Sequence, residues 1–162
     1  MNRLLIVDGH AYAYRAFHAI RELRSPSGQP TNAIYGFVKM LEKMRQAVGP
    51  THLMVVWDGG LSAERLAALP DYKAQRPEMP ADLRPQLDAI SRYLAAAGVA
   101  EYCGEGVEAD DYIASLARRA ADAGWNVVIA SADKDFMQLV SPVIGLLNPN
   151  DKTAGVWTGE QV

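Results

Sequence analysis

Leu4-Leu5-Ile6-Val7-Asp8-Gly9 is a run of four apolar residues that stops on an acid. A run this short and continuous reads as a strand buried on both faces, the pattern of a parallel sheet. The same arrangement recurs along the chain. Leu53-Met54-Val55-Val56-Trp57 stops on Asp58, and Asn126-Val127-Val128-Ile129-Ala130 is followed by Asp133 and Asp135. Val143-Ile144-Gly145-Leu146-Leu147 is a fourth run, and Val99-Ala100-Glu101-Tyr102-Cys103 is a weaker one that suits a sheet edge.

Helical spacing fills the gaps. From Ala33 to Val48, Ile34, Phe37, Val38, Leu41 and Met44 share a face, and Gly49-Pro50 ends the pattern. Leu83 to Ala97 repeats it with Leu87, Ile90 and Leu94, ending at Gly98. Glu108 to Ala123 is expected to bury Ile113, Leu116 and Ala120, ending at Gly124. The alternation predicts an α/β fold, a three-layer sandwich around a mostly parallel central sheet, formed by one domain over residues 1–162. Arg24 to Pro30 reads as a loop. Gly59 to Pro80 is long and carries Pro70, Pro77 and Pro80. It follows a strand directly, so it should sit over the carboxyl edge of the sheet. Thr158-Gly159-Glu160-Gln161-Val162 reads as a helix cap and first turn, cut off, so the chain is expected to be part of a longer protein.

Composition narrows the classes. At 162 residues the chain can bury a real core. With 49% hydrophobic and 22% charged residues it is neither disordered nor fibrous. One cysteine, Cys103, excludes an internal disulfide and a cysteine zinc cluster. No apolar run is long enough to span a membrane, and the first residues are too short a run for a signal peptide. A cytoplasmic location is the expectation. The net charge of −3 argues at first against a nucleic-acid partner.

The acids change that reading. Asp8 and Asp58 end strands, Asp133 and Asp135 follow one, and Glu108, Asp110 and Asp111 open a helix. In an open parallel sheet the strand carboxyl ends share one edge, where ligands bind. Like charges about 4 Å apart repel by roughly 4 kcal/mol at an effective dielectric of 20. Protonation or divalent cations would relieve that repulsion. An all-oxygen set suits Mg²⁺ or Mn²⁺ rather than zinc. Two such ions, roughly 3.5–4 Å apart, would clamp a phosphodiester, one activating water and the other steadying the leaving oxygen. With the seven acids set aside, 12 of 19 remain against 16 Lys plus Arg, so the rest of the chain carries +4.

Taken singly, each acid has a plainer use. Asp8 before Gly9 and Asp58 before Gly59 suit turns. Glu108 suits a helix N-terminus, and Asp133 can cap a short helix beginning near Lys134. Tyr72, Lys73 and Arg76 offer a stacking face, a point charge and a phosphate fork, or an ordinary solvated loop. His10, His18 and His52 read as packing or surface residues, and Trp57 as core.

The ordered set of motifs resembles the 5′-nuclease domain of bacterial DNA polymerase I, within the flap endonuclease and PIN-like superfamily. Leu5-Ile6-Val7-Asp8-Gly9 is followed by Tyr14-Arg15-Ala16-Phe17-His18-Ala19 and Thr31-Asn32-Ala33-Ile34-Tyr35-Gly36-Phe37. Val55-Val56-Trp57-Asp58 and Tyr72-Lys73-Ala74-Gln75-Arg76-Pro77 come next. Gly106-Val107-Glu108-Ala109-Asp110-Asp111 and Ser131-Ala132-Asp133-Lys134-Asp135 complete it. The resemblance implies a PIN-like, resolvase-like fold and metal-dependent cleavage of DNA near 5′ ends or flaps, in replication and repair. It implies that Asp8, Asp58, Glu108, Asp110 and Asp111 serve a first metal, with Asp133 and Asp135 between two metals. It gives Lys73 and Arg76 the scissile phosphate, Tyr72 a terminal base and Arg15 a nearby phosphate. Residues 59–80 would be an arch-like insertion. The family's helical DNA-binding module, with its Gly-Asp and Asp-Asn motifs, has no counterpart here. A polymerase domain or that module in a full-length protein would be the partner.

Three other classes share part of this pattern. A PIN-type ribonuclease has similar acids but usually no long arch. A phosphoacceptor signalling domain also gathers acids at strand ends. A non-catalytic DNA-binding fragment would fold alike and bind without cleaving.

Overall fold

The computed structural model describes residues 2–20, 22–58, 80–104, 106–147 and 156–157. The chain runs β1 (Arg3–Asp8), α1 (Gly9–Ala19), α2 (Asn32–Val48), β2 (His52–Val56), α3 (Arg84–Ala96) and β3 (Ala100–Tyr102). It continues through α4 (Ala109–Asp122), β4 (Asn126–Ala130), a 3-10 helix (Lys134–Leu139), β5 (Ile144–Leu147) and β6 (Val156–Trp157). Among the described residues six strands form one sheet, in the order β3-β2-β1-β4-β5-β6. All neighbours are parallel except β5 and β6.

This is the expected three-layer sandwich. Period-2 alternation sends Leu5, Val7 and Val55 to one face, where they pack with Phe37, Leu41, Ile90 and Leu94 from the α1–α2–α3 layer. It sends Leu4, Ile6 and Val56 to the other, against Ile113 and Ala117 of α4 and Phe136 of the 3-10 helix. The weaker strand lies at the edge, as anticipated.

Three features differ from the sequence reading. Helix α1 was not anticipated, because its buried face is Gly9, Tyr12, Ala13 and Ala16 and shows no stripe of large apolar residues. Such a face permits close approach: a Cβ on Gly36 of α2 would lie 2.7 Å from the Ala16 Cβ. Helix α4 fully buries Ala109, Ile113 and Ala117, while Leu116 and Ala120 are only partly covered. The antiparallel β6 is the third. The expected arch, with Tyr72, Lys73 and Arg76, and the expected cap at Thr158–Val162 lie outside the described residues, apart from Pro80.

One polar pair joins three helices. Gln86, 1% exposed, accepts from the Ala33 and Ile34 backbone N–H groups through Oε1 at 2.7 and 3.1 Å. These are orphan donors in the first turn of α2, whose own cap residue Thr31 makes no side-chain capping bond. Asn32 donates through Nδ2 to Phe17 O and Ile20 O, carbonyls at the end of α1. Gln86 Nε2 donates to Asn32 Oδ1 and to Asp82 O, both at 2.8 Å.

Candidate metal centre

The strand order reverses direction between β1 and β4. Chains leaving adjacent strands toward opposite sides open a crevice at such a switch point, outside the carboxyl ends. Register places the end of β1 there, with Val7 opposite Ala130 and Asp8 opposite Val56 of β2. Asp8 also caps α1: its Oδ1 accepts from the Ala11 N–H at 3.4 Å. Its Oδ2 accepts from the Ser131 hydroxyl at 3.0 Å, across the switch point.

Trp57 and Gly9 locate Asp58. Trp57 stacks on Phe37 with ring centroids 5.9 Å apart, and its indole N–H donates to Glu101 Oε1 at 3.0 Å. The ring lies so close to α1 that a Cβ on Gly9 would sit 2.6 Å from it, which requires glycine there. The Asp58 backbone N–H donates to His10 Nδ1 at 3.0 Å, and the His10 ring meets Trp57 edge-on.

Glu108, Asp110 and Asp111 open α4, with Glu108 as the cap residue. Each offers one carboxylate oxygen, and the three lie within 4.8 Å of one another. Tyr112, next in the chain, stacks on Tyr102 of β3 at 3.9 Å and holds this helix start over the sheet. The helix N-terminus favours the acids, but each carboxylate opposes the next. Around a six-coordinate Mg²⁺ with bonds of about 2.1 Å, ligand oxygens stand roughly 3–4 Å apart. The observed span exceeds that by a side-chain adjustment only, so the donor set fits a hard cation directly or through water.

Electrostatics join Asp8 to this group. Burial holds the Asp8 carboxyl above its ordinary value, and the charges of Asp110 and Asp58 push the same way. The bonds from Ser131 and Ala11 act against that rise. Burial also raises the Tyr12 phenol, helped by the charge of Asp8.

The structure therefore brings Asp8, Asp58, Glu108, Asp110 and Asp111 to one edge. Asp133 and Asp135 follow β4 at that edge but do not join the close group of three. Asp133 serves as the cap of the 3-10 helix, its Oδ1 accepting from the Asp135 N–H at 2.9 Å. Arg15 is exposed on α1, and no hydrogen bond or ion pair among the described residues ties it to the carboxylates. Two residues in the site went unread as site residues. His10 reads as a packing or surface residue; it does pack against Trp57, and it also accepts from the Asp58 backbone N–H. Ser131 lies within the Ser131–Asp135 motif with no role of its own, though a serine two residues before an acid at a strand end is a turn signal.

A doubly wound, mostly parallel sheet with carboxylates at its switch point defines an open α/β fold with an acidic edge. A family model described as "5'-3' exonuclease, N-terminal resolvase-like domain" matches residues 3–162, and the chain belongs to this family. It is 42% identical over 163 residues to a protein named "5'-3' exonuclease" from Aquifex aeolicus (strain VF5), covering 100% of this chain and 55% of the relative. It is 43% identical over 145 residues to DNA polymerase I of Pseudomonas aeruginosa, covering 90% of this chain and 16% of the relative. The chain thus spans about half of the first relative and a small part of the second. Its fold matches the T5 D15 protein, co-crystallised with metal ions, at a TM-score of 0.70 and 20% identity, over 97% of this chain and 58% of that one. It also matches the catalytic core of Rad2 in complex with DNA, at 0.62 and 17% identity, over 99% of this chain and 48% of that one.

Proposed function

We propose that the chain is the catalytic core of a divalent-metal-dependent 5′-3′ exonuclease or 5′-flap endonuclease that hydrolyses DNA phosphodiesters. The observation that carries this is the carboxylate edge. Glu108, Asp110 and Asp111 lie within 4.8 Å at the start of α4, and the charge of Asp110, with that of Asp58, adds to burial in raising the carboxyl pKa of the partly buried Asp8. Family membership supplies the reaction class.

Mg²⁺ or Mn²⁺, two ions in the full site, would be held by Asp8, Asp58, Glu108, Asp110 and Asp111, with Asp133 and Asp135 bridging toward the second. Bound there, such ions neutralise phosphate charge and activate water for in-line attack. The chain's own residues do the rest. Asp8 presents a carboxylate fixed at both oxygens, and Trp57 with His10 fixes the backbone of Asp58. Lys73 and Arg76 would hold the scissile phosphate, Tyr72 would stack on a terminal base and Arg15 would meet a flanking phosphate.

The substrate would be DNA with 5′ ends or 5′ flaps, met during replication and repair. Residues 59–80 would form the arch, and a helical module or polymerase domain elsewhere in a longer protein would grip the duplex. No helix among the described residues is long and apolar enough to cross a membrane. A cytoplasmic location follows from the substrate.

The test is cleavage of a labelled 5′-flap DNA by this polypeptide with Mn²⁺, beside Asp58→Ala and Asp111→Asn. Metal-dependent cleavage that both variants lose is the expected result. Cleavage that survives in either variant, or persists in chelator, would overturn the proposal.

A further inference from the structure

Ser131 is completely buried at the end of β4, and with Asp8 ionised its hydroxyl has one possible wiring. The Asp133 backbone N–H can only donate, and it donates to Ser131 Oγ at 3.1 Å. The hydroxyl hydrogen is then left for Asp8 Oδ2, 3.0 Å away. The run extends in both directions, since the Asp135 N–H donates to Asp133 Oδ1 and the Ala11 N–H to Asp8 Oδ1. Closing the strand end is not the task of this side chain, because the Ser131 backbone N–H already donates to Leu147 O at 3.1 Å. A series of hydrogen bonds converging on Asp8 therefore joins the carboxylate that ends β1 to the acidic turn that follows β4.

We propose that Ser131 is a positioning residue for the cation, holding Asp8 and the Asp133–Asp135 turn in one relative geometry so that both engage it together. The proposal rests on the metal reading above. Without the hydroxyl, the Asp8 carboxylate loses the donor that sets its plane, and the Asp133 N–H loses the acceptor that shapes the turn. Partners that orient metal ligands typically change affinity by about 10- to 100-fold when removed.

The experiment is Mn²⁺ binding to the whole chain by titration calorimetry, with Ser131→Ala, Ser131→Thr and Ser131→Val. Thr and Val have the same shape and differ in the hydroxyl. Ala and Val are expected to weaken Mn²⁺ binding by about 10-fold or more, while Thr stays close to the parent. Equal affinities for Thr and Val would overturn the positioning role. A parent chain that takes up no Mn²⁺ would overturn the metal reading instead, and this role with it. Should Val not fold, the parent carries the test: Mg²⁺ is titrated while the Ala11, Asp133 and Asp135 amides are followed by NMR. One shared midpoint is expected, and movement of Ala11 without Asp133 would sink the coupling.

Discussion

The two ends of helix α1 carry polar clusters built on opposite terms. At its C-terminal end, Asn32 and Gln86 are buried amides whose donors meet acceptors and whose acceptors meet donors, all within the chain. At its N-terminal end, Asp8 feels the like charges of Asp58 and Asp110, and Asp110 lies within 4.8 Å of Glu108 and Asp111. The first cluster is complete without anything from solution. The second gathers like charge at a cost, which the cation of the proposed function would offset. A matched set of polar groups defines packing, whereas a one-sided set defines a binding site.

The sharpest way to break this contrast is at the complete cluster. Gln86→Leu would strand the buried Ala33 N–H and Asn32 carbonyl and remove the partner of the part-buried Ile34 N–H and Asp82 carbonyl. Each stranded buried group costs about 1–3 kcal/mol, so a loss of roughly 3 kcal/mol or more is expected in urea unfolding. A loss below about 1 kcal/mol would mean that water replaces the amide and that the cluster is not closed.

Metal addition probes the other end. At a free Mn²⁺ concentration 100 times the Kd, the chain should gain about 2.7 kcal/mol. Gln86→Leu should gain the same amount, because distant clusters that share no partner add independently. A smaller gain in that variant would show that the two ends of α1 are coupled.

Asp110→Asn tests the like-charge argument without metal. Two carboxylates within 4.8 Å of a third would each repel it by about 0.9 kcal/mol even at the dielectric of water. The helix N-terminus returns only about 0.3–1 kcal/mol for the same charge. Repulsion wins, so the variant should melt a few degrees higher in chelator and gain less from Mn²⁺. A lower melting point would show that the dipole dominates. Asp8 extends the test to pH. Its folded pKa is raised above the unfolded value of 3.8, by burial first. The folded chain therefore holds that proton more tightly than the unfolded chain. The contribution is complete below 3.8 and is lost as pH rises through the folded pKa. In chelator, Asp8 should lower the melting point from acid toward neutral pH, and Asp110→Asn should make that slope shallower.

How much was legible follows from what kind of signal each part carries. The core strands were legible because burial on both faces leaves continuous apolar runs, and the acids that end them marked the edge. Helix α1 was not, because alanine and glycine carry its buried face and Asp8 read as an end rather than as a cap. The Asn32–Gln86 pair was invisible for another reason. The Gln86 amide meets the start of α2 more than 50 residues away in the chain, so no local spacing encodes it. Ser131 sat within a recognised motif, yet one hydroxyl among many reveals nothing until Asp8 is placed 3.0 Å away.

Arg24→Ala should have the smallest effect, and it isolates what makes the complete cluster strong. Gln86 and Arg24 both hold Asp82, one at the backbone carbonyl and the other at the carboxylate. Gln86 donates to Asp82 O at 2.8 Å from a fully buried side chain. Arg24 reaches Asp82 Oδ2 at 3.5 Å with side chains 44% and 54% exposed, and reaches Glu22 at 3.0 Å where Glu22 is 74% exposed. Exposed ion pairs exchange one set of well-solvated partners for another, and salt screens what remains. The variant should therefore unfold within error of the parent, with any small difference vanishing as salt is added. An effect comparable to Gln86→Leu would show that bond count, rather than burial of matched groups, holds this corner of the fold.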